Sequence, residues 1–184
     1  MRVVAGRFRG TRLEAVAGDK TRPTTDKVKE AMFSMLMPFL SGGNVLDLYA
    51  GTGGLGIEAV SRGMTHATLV DRQFQAIKVI QSNVDKTHDA AAFSILKMPA
   101  QQALQNFVAA QQTFDLVFLD PPYAKETIAV DMQFMAQNGL LADGAIILAE
   151  SNDAANLPEA STQFNIVRQK QYGITVVTIY QFDK

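Results

Sequence analysis

Two consecutive prolines, Pro121 and Pro122, stand directly behind the run Thr113-Phe114-Asp115-Leu116-Val117-Phe118-Leu119-Asp120. The run is apolar and dense in β-formers, so it reads as a buried strand. Proline lacks the N–H that a ladder needs and has a fixed φ, so the chain leaves the sheet there in a stiff, extended turn. Asp120 is thereby presented at the carboxyl end of a central strand, the edge at which open α/β sheets bind ligands. Tyr123 follows three residues later. A strand stop, with Asp120 capping the next helix and Tyr123 covering the core, also accounts for these four residues, and the rest of the chain has to decide.

Upstream, strand and helix patterns alternate. Asn44–Tyr49 is a compact apolar strand, and Ala50-Gly51-Thr52-Gly53-Gly54-Leu55-Gly56 is a glycine-rich turn opening a helix at Ile57. Ala67–Val70 forms a second strand that ends at Asp71. The spacing then predicts a helix over about 73–86, a strand over about 92–97 and a helix over about 99–110, ahead of the 113–119 strand. A helix over about 126–137 leads to a fifth strand, Ala145–Glu150. The last third changes pattern, with strands at Gln163–Lys170 and Ile174–Phe182 around a turn at Tyr172-Gly173. Strand–helix alternation followed by a terminal hairpin predicts an α/β fold whose sheet is mostly parallel with an antiparallel edge. At 184 residues, 47% of them apolar, the chain suits one domain with a sizeable core.

The N-terminal end differs from this body in charge. Residues 1–30 hold eight Lys/Arg against four Asp/Glu, and the remainder carries nine against fourteen. Arg2–Gly6 and Thr11–Val16 read as two short strands around a glycine-bounded tip, Gly6-Arg7-Phe8-Arg9-Gly10, so residues 1–20 are expected to form a basic β-hairpin extension to a domain over 21–184. Arg7, Arg9 and Arg12 suit an anionic partner, and Phe8 between two arginines suits stacking on a base. Burial of Phe8 under the hairpin is the competing expectation. Behind the hairpin, Val28, Met32, Met35 and Leu36 recur at helical spacing, with Thr24, Thr25 or Asp26 as the N-cap. The chain has no cysteine, only His66 and His88 as histidines, and no apolar run long enough for a membrane span, so a cytoplasmic protein without a metal is expected.

Two constellations carry chemistry. Gly51, Gly53 and Gly56 satisfy G-x-G-x-x-G between a strand and a helix, and Asp71 lies twenty residues after Gly51. That spacing is the dinucleotide fingerprint, and such a loop serves NAD or S-adenosylmethionine, because both carry an adenosine ribose whose hydroxyls a carboxylate can take. A purely structural turn also fits the glycines but leaves Asp71 unexplained. Asp47, at the end of the first strand, tilts the choice: a carboxylate suits the amino group of a methionine moiety and would repel a pyrophosphate. At the second constellation, the Asp120 carboxylate and the Pro121 carbonyl can hold the two N–H groups of a nucleobase amine, and Tyr123 can stack on the base. Holding both N–H groups aims the nitrogen lone pair at a methyl donor, so catalysis there is positioning and electrostatics. A dehydrogenase has no use for this arrangement.

The stretch Asp47-Leu48-Tyr49-Ala50-Gly51-Thr52-Gly53-Gly54-Leu55-Gly56-Ile57-Glu58-Ala59, together with Asp120–Tyr123, resembles the Rossmann-like, S-adenosylmethionine-dependent amino-methyltransferases. Arg22-Pro23-Thr24-Thr25-Asp26-Lys27-Val28-Lys29-Glu30-Ala31-Met32-Phe33 narrows the resemblance to the bacterial enzymes that methylate N2 of a guanine in 16S ribosomal RNA. The resemblance implies a class I methyltransferase fold with a seven-stranded sheet. It implies a cofactor site of Thr24, Asp47, Tyr49, Gly51, Gly53, Asp71, Arg72, Ala100 and Asp120. Asp120, Pro121, Pro122 and Tyr123 would be catalytic, and Arg7, Phe8, Arg9, Arg12 and Arg22 would meet RNA. The implied partner is 16S rRNA within a small-subunit assembly, met by a monomer. One departure stands out: Pro99 occupies the place where such enzymes put an Asp or Asn for the adenine amine, leaving the Ala100 N–H as the expected contact. The rival readings are the same chemistry on another RNA or DNA base and, from a different class, a nicotinamide-dependent oxidoreductase. Glu150 reads as a polar strand terminus.

Overall fold

The computed structural model describes residues 1–17, 26–122, 124–152 and 157–184, with the side chains of 124–126 excepted. Thr24, Thr25, Arg22 and Tyr123, all assigned roles above, lie outside the described residues. The chain divides into two compact units, Met1–Ala100 and Gln101–Lys184, and its seven strands belong to one mixed sheet.

The first unit contains α1 (Asp26–Leu36), β1 (Asn44–Asp47), α2 (Gly54–Ser61), β2 (His66–Asp71), α3 (Phe74–Asp85) and β3 (Phe93–Lys97). Helix α1 ends where Pro38 forces a 3₁₀ turn over Met37–Phe39. Strand β2 pairs in parallel with both neighbours, Val45 opposite Ala67 and Leu69 opposite Ile95. Central parallel strands are covered on both faces, which is why β1 and β2 read as unbroken apolar runs instead of alternating ones. Leu46, Ile57, Leu69 and Ile80 are fully buried in this core.

In the second unit, α4 (Ala100–Ala109, its first residue closing the first unit) precedes β4 (Phe114–Leu119), α5 (Ala124–Gln137), β5 (Leu141–Ser151), β6 (Phe164–Tyr172) and β7 (Thr175–Phe182). β5 pairs in parallel with β4 and antiparallel with β7, which pairs antiparallel with β6. The predicted antiparallel edge is therefore present, with Gly173 at a φ of 63° in its turn. β5 begins four residues earlier than the sequence pattern predicts. The register jumps from Phe114 opposite Leu141 to Leu116 opposite Ile146, and Gly144, at a φ of 76°, lies within that irregularity. A bulge hosts such a residue without ending the strand, so the apparent turn signal Asp143-Gly144 sits inside β5. Among the described residues, no helix is long and apolar enough to cross a membrane.

At the N-terminus the two expected strands do not form. Arg2 and Arg12 form an antiparallel bridge, and Val3 N–H donates to the Thr11 carbonyl at 2.9 Å, but no strand develops on either side. Gly10 N–H donates back to the Val3 carbonyl and Leu13 N–H to the Met1 carbonyl, and the groups between them are taken up by α2. Val4 and Ala5 N–H donate to the Glu58 carboxylate, Arg7 N–H to the Ser61 carbonyl and Phe8 N–H to Ser61 Oγ. Phe8 is consequently 8% exposed, packed near the Phe93 ring at 6.3 Å between centroids, so it is not available to stack on a base. The sequence could not separate the two expectations for Phe8, because the Ser61 contact that turns the ring inward lies 53 residues away.

Gly6 makes that docking possible. It sits at a φ of +83°, and a β-carbon there would lie 1.9 Å from the Ser61 carbonyl oxygen. Gly10 has a similar φ of +89° with open space around it. Backbone strain at a non-glycine residue of positive φ costs about 1–3 kcal/mol, which corresponds to roughly 2–12 °C in Tm for a chain of this size. Gly10→Ala should show that loss alone, and Gly6→Ala should exceed it because the segment also has to leave α2. Differential scanning calorimetry of the two variants provides the comparison.

Candidate active site

In the first unit the candidate residues gather at the carboxyl ends of β1 and β2. The chain leaves β1 at Asp47 and turns through Gly51 and Gly53, whose φ values are 55° and 76°, before Gly54 opens α2. Only glycine takes those conformations freely. The turn is pinned from several sides: Ala50 N–H donates to the Val70 carbonyl at 2.9 Å, and Gly53 N–H to the Ala50 carbonyl at 2.7 Å. Gly51 N–H donates to Asp71 Oδ2 at 3.0 Å. The buried Asn83 side chain donates to the Thr52 carbonyl at 2.9 Å and accepts from Glu14 N–H at 2.7 Å. At Gly56 a β-carbon would lie 2.3 Å from the Leu69 methyl, so this glycine sets how closely α2 approaches β2.

The two carboxylates have different settings. Asp47 is 3% exposed and accepts the Gly56 N–H at 3.1 Å, an arrangement that places negative charge beside the first turn of α2. Asp71 is half-buried and accepts from Gly51 and, at 2.8 Å through Oδ1, from Gln73 N–H. A carboxylate has about four acceptor sites, so Asp71 keeps capacity for a pair of hydroxyls while its orientation is fixed by two backbone donors. Arg72 is exposed beside it, and Tyr49 is partly buried on the glycine turn. Pro99 lies two residues beyond β3, and Ala100 opens α4, where a first-turn N–H lacks an intrahelical acceptor. Phe74, at the start of α3, is 53% exposed with the Lys78 and Lys97 ammonium groups 4.6 and 5.0 Å from its ring centre.

In the second unit Asp120 follows directly on β4, with Pro121 buried and Pro122 exposed. Asp120 is exposed at the surface, and the density of protein atoms around its carboxyl still raises its pKa to about 6. On β5, Glu150 lies one residue past the pairing of Leu119 with Ala149. Burial first, and then the charge of Asp120, push its carboxyl up to about 8. Among the described residues, Glu150 Oε2 is shut off from solvent without a hydrogen-bond partner, and so is the Tyr172 hydroxyl on β6. Sequence reasoning passed over Glu150 as a strand terminus. Its signal was the distance between two acids at the ends of adjacent strands, and strand adjacency is not written in any local motif.

The basic residues of the N-terminal segment are placed as follows. Arg7, Arg9 and Arg12 are exposed; Arg7 pairs with Asp89 at 2.6 Å and lies 4.5 Å from the Phe8 ring centre. Beneath them is a buried ionic cluster that the sequence did not reveal. Lys29 and Glu58, both 0% exposed, pair at 3.1 Å, and Arg62 reaches the same carboxylate at 2.8 Å. The Lys29 ammonium also donates to the Arg2 carbonyl.

Comparison with known proteins adds a family to this geometry. A sequence family described as "Conserved hypothetical protein 95" matches residues 1–181. The Bacillus subtilis protein YlbH is 40% identical over 181 residues, covering 98% of each chain. The Escherichia coli protein named "Ribosomal RNA small subunit methyltransferase D" is 31% identical over 98% of this chain and 89% of its own. Among solved structures, that of Escherichia coli yhhF superposes with a TM-score of 0.85 at 31% identity, over 100% of this chain and 98% of the other.

Proposed function

The chain belongs to the Conserved hypothetical protein 95 family, which includes rRNA small-subunit methyltransferases, and we propose that it methylates N2 of a guanine in 16S ribosomal RNA, using S-adenosylmethionine. The observation that carries this reading is the pair of ligand-ready strand ends: a glycine turn with an oriented Asp71 after β1 and β2, and an acidic, proline-stiffened turn after β4. The family removes the nicotinamide-dependent alternative. Amino-methylation of another nucleic-acid base is the remaining rival, and the E. coli relative's name favours ribosomal RNA.

The residues fit the cofactor. Gly51 and Gly53 bring backbone close to it, Asp71 takes the ribose hydroxyls, Asp47 faces its methionine amine, and Ala100 N–H serves the adenine in place of the missing Asp or Asn. Arg72 and Tyr49 complete the pocket. S-adenosylmethionine supplies a methyl group on a sulfonium, a leaving group good enough that no strong base is needed. Asp120 and the Pro121 carbonyl accept the two N–H groups of guanine N2, which turns the lone pair out of conjugation and toward the methyl carbon. As the N–C bond forms, positive charge grows on N2, and the Asp120 carboxylate stabilises it and then takes or relays the released proton. Pro122 stiffens the turn, and Tyr123 stacks on the base. Arg7, Arg9 and Arg12 supply phosphate contacts from the N-terminal segment, with Phe74, Lys78 and Lys97 offering a further aromatic and cationic surface. The enzyme acts in the cytoplasm, as a monomer on a small-subunit particle.

Titration calorimetry with S-adenosylhomocysteine and, separately, NADH tests the cofactor. Micromolar binding of the first and none of the second is expected; the reverse would overturn the reading. Incubation with 16S rRNA or small-subunit particles and labelled methyl donor, followed by nucleoside analysis, should yield N2-methylguanosine.

A further inference from the structure

Guanine offers three groups along its Watson–Crick edge: the N2 amine, the N1–H donor and the O6 acceptor. In the reading above, Asp120 and Pro121 engage only the amine, which other purines also carry. What meets N1 and O6 is unassigned. We propose that Glu150 reads them, its carbonyl oxygen accepting the N1–H and its protonated oxygen donating to O6. This rests on the guanine-methylating function and names the residue that selects the base.

Three observations within the second unit carry the assignment. β4 and β5 run parallel with Leu119 opposite Ala149, so Asp120 and Glu150 are the next positions at the carboxyl ends of neighbouring strands. Adjacent strands lie about 4.8 Å apart, a separation that suits neighbouring groups on the edge of one base. Next, Glu150 Oε2 is buried with no hydrogen-bond partner among the described residues. A buried polar atom without a partner costs stability, and a ligand bringing a donor and an acceptor would satisfy it. Finally, the charge of Asp120 acts on Glu150, so the two carboxyls sense each other.

A neutral carboxyl is the form that matches guanine, because it presents one acceptor and one donor in a plane, as the N1–H/O6 pair requires. The surroundings favour that form. The parallel neighbour contributes Asp120, and β7 faces Glu150 with Val177, which brings no charge. In the next row, Lys170 of β6 pairs with Val177, and its ammonium lies 5.4 Å from the Tyr172 ring centre. Burial and the Asp120 carboxylate both disfavour ionisation of Glu150 at neutral pH.

The test uses the full-length protein with 16S rRNA or small-subunit particles, comparing Glu150→Ala and Glu150→Gln for methyl transfer from pH 6 to 8.5. Glutamine keeps an acceptor and a donor in one plane but cannot ionise. The natural enzyme should lose kcat/KM as pH rises through about 8, and Glu150→Gln should retain kcat/KM within about threefold at pH 7 and lack that alkaline decline. Glu150→Ala should lower kcat/KM at least tenfold, with S-adenosylhomocysteine affinity and circular dichroism unchanged. Equal damage by both substitutions, or an Ala variant within twofold of the natural enzyme, would overturn the role of Glu150 while leaving the methyltransferase intact. Absence of N2-methylguanosine from the natural enzyme would instead overturn the parent function and this inference with it.

Discussion

Asp120→Ala should reduce methyl transfer to ribosomal RNA by about 10²–10³-fold or more, the range observed when a preorganised group facing developing charge is removed. S-adenosylhomocysteine binding should stay within about tenfold, because the lost contacts serve the base and not the nucleoside. The distinction matters, since a carboxylate at the end of a central strand can also be a structural cap. A cap would show its loss as lower stability and weaker cofactor binding together. Single-turnover rates with bound RNA, set beside calorimetry, separate the two outcomes; parallel loss of cofactor affinity would refute the catalytic role. The pH profile adds a second check. Asp120 must be ionised to accept N–H groups, and crowding raises its pKa to about 6, so kcat/KM should fall as pH drops through that value. Glu150 moves in the other sense. The two carboxyls influence each other, so the acid and alkaline limbs belong to the pair.

The parts of this site that were legible in the sequence are those where chemistry depends on neighbours along the chain. Gly51 and Gly53 announce positive-φ backbone before any coordinates exist, and Pro121-Pro122 announces where β4 stops. The apolar runs of β1, β2 and β4 read correctly as covered parallel strands because burial on both faces removes alternation. Legibility failed where a partner is remote. Phe8 could be read as a stacking ring or as a buried one, since nothing near it discloses Ser61. Asp143-Gly144 looked like a connection, because a bulge and a turn ask for the same residues. Glu150 acquires meaning only beside Asp120, thirty positions away, and nothing along the chain sets Lys29 apart from the other cations of the basic segment.

That lysine leads to the other large effect expected. Glu58→Ala should destabilise the protein by about 3–5 kcal/mol, the usual result of removing one partner from a buried ion pair, or roughly 6–20 °C in Tm. The Glu58 carboxylate is fully buried and receives the Lys29 ammonium, the Arg62 guanidinium and the N–H groups of Val4 and Ala5. Its loss strands a charge at Lys29 that has no route to solvent, and frees two backbone donors of the N-terminal segment. Arg62 loses its carboxylate as well: its side chain is 8% exposed and lies over the Phe33 ring at 5.0 Å, and its Nη2 is buried without a hydrogen-bond partner among the described residues. The network need not be more stabilising than an apolar core of equal volume, since desolvating three charges offsets much of their attraction. Lys29→Met combined with Glu58→Gln tests this directly. The glutamine oxygen can still accept from Val4, Ala5 and the Arg62 guanidinium, and the methionine removes the buried ammonium, so the pair should recover more than half of the Glu58→Ala loss. A double-mutant cycle on thermal unfolding gives the coupling. Additive losses would mean that Lys29 and Glu58 act independently. Strong coupling would identify the buried pair as what fastens the arginine-bearing N-terminal segment to α2, and Glu58→Ala should then also weaken RNA binding through residues that Glu58 never touches.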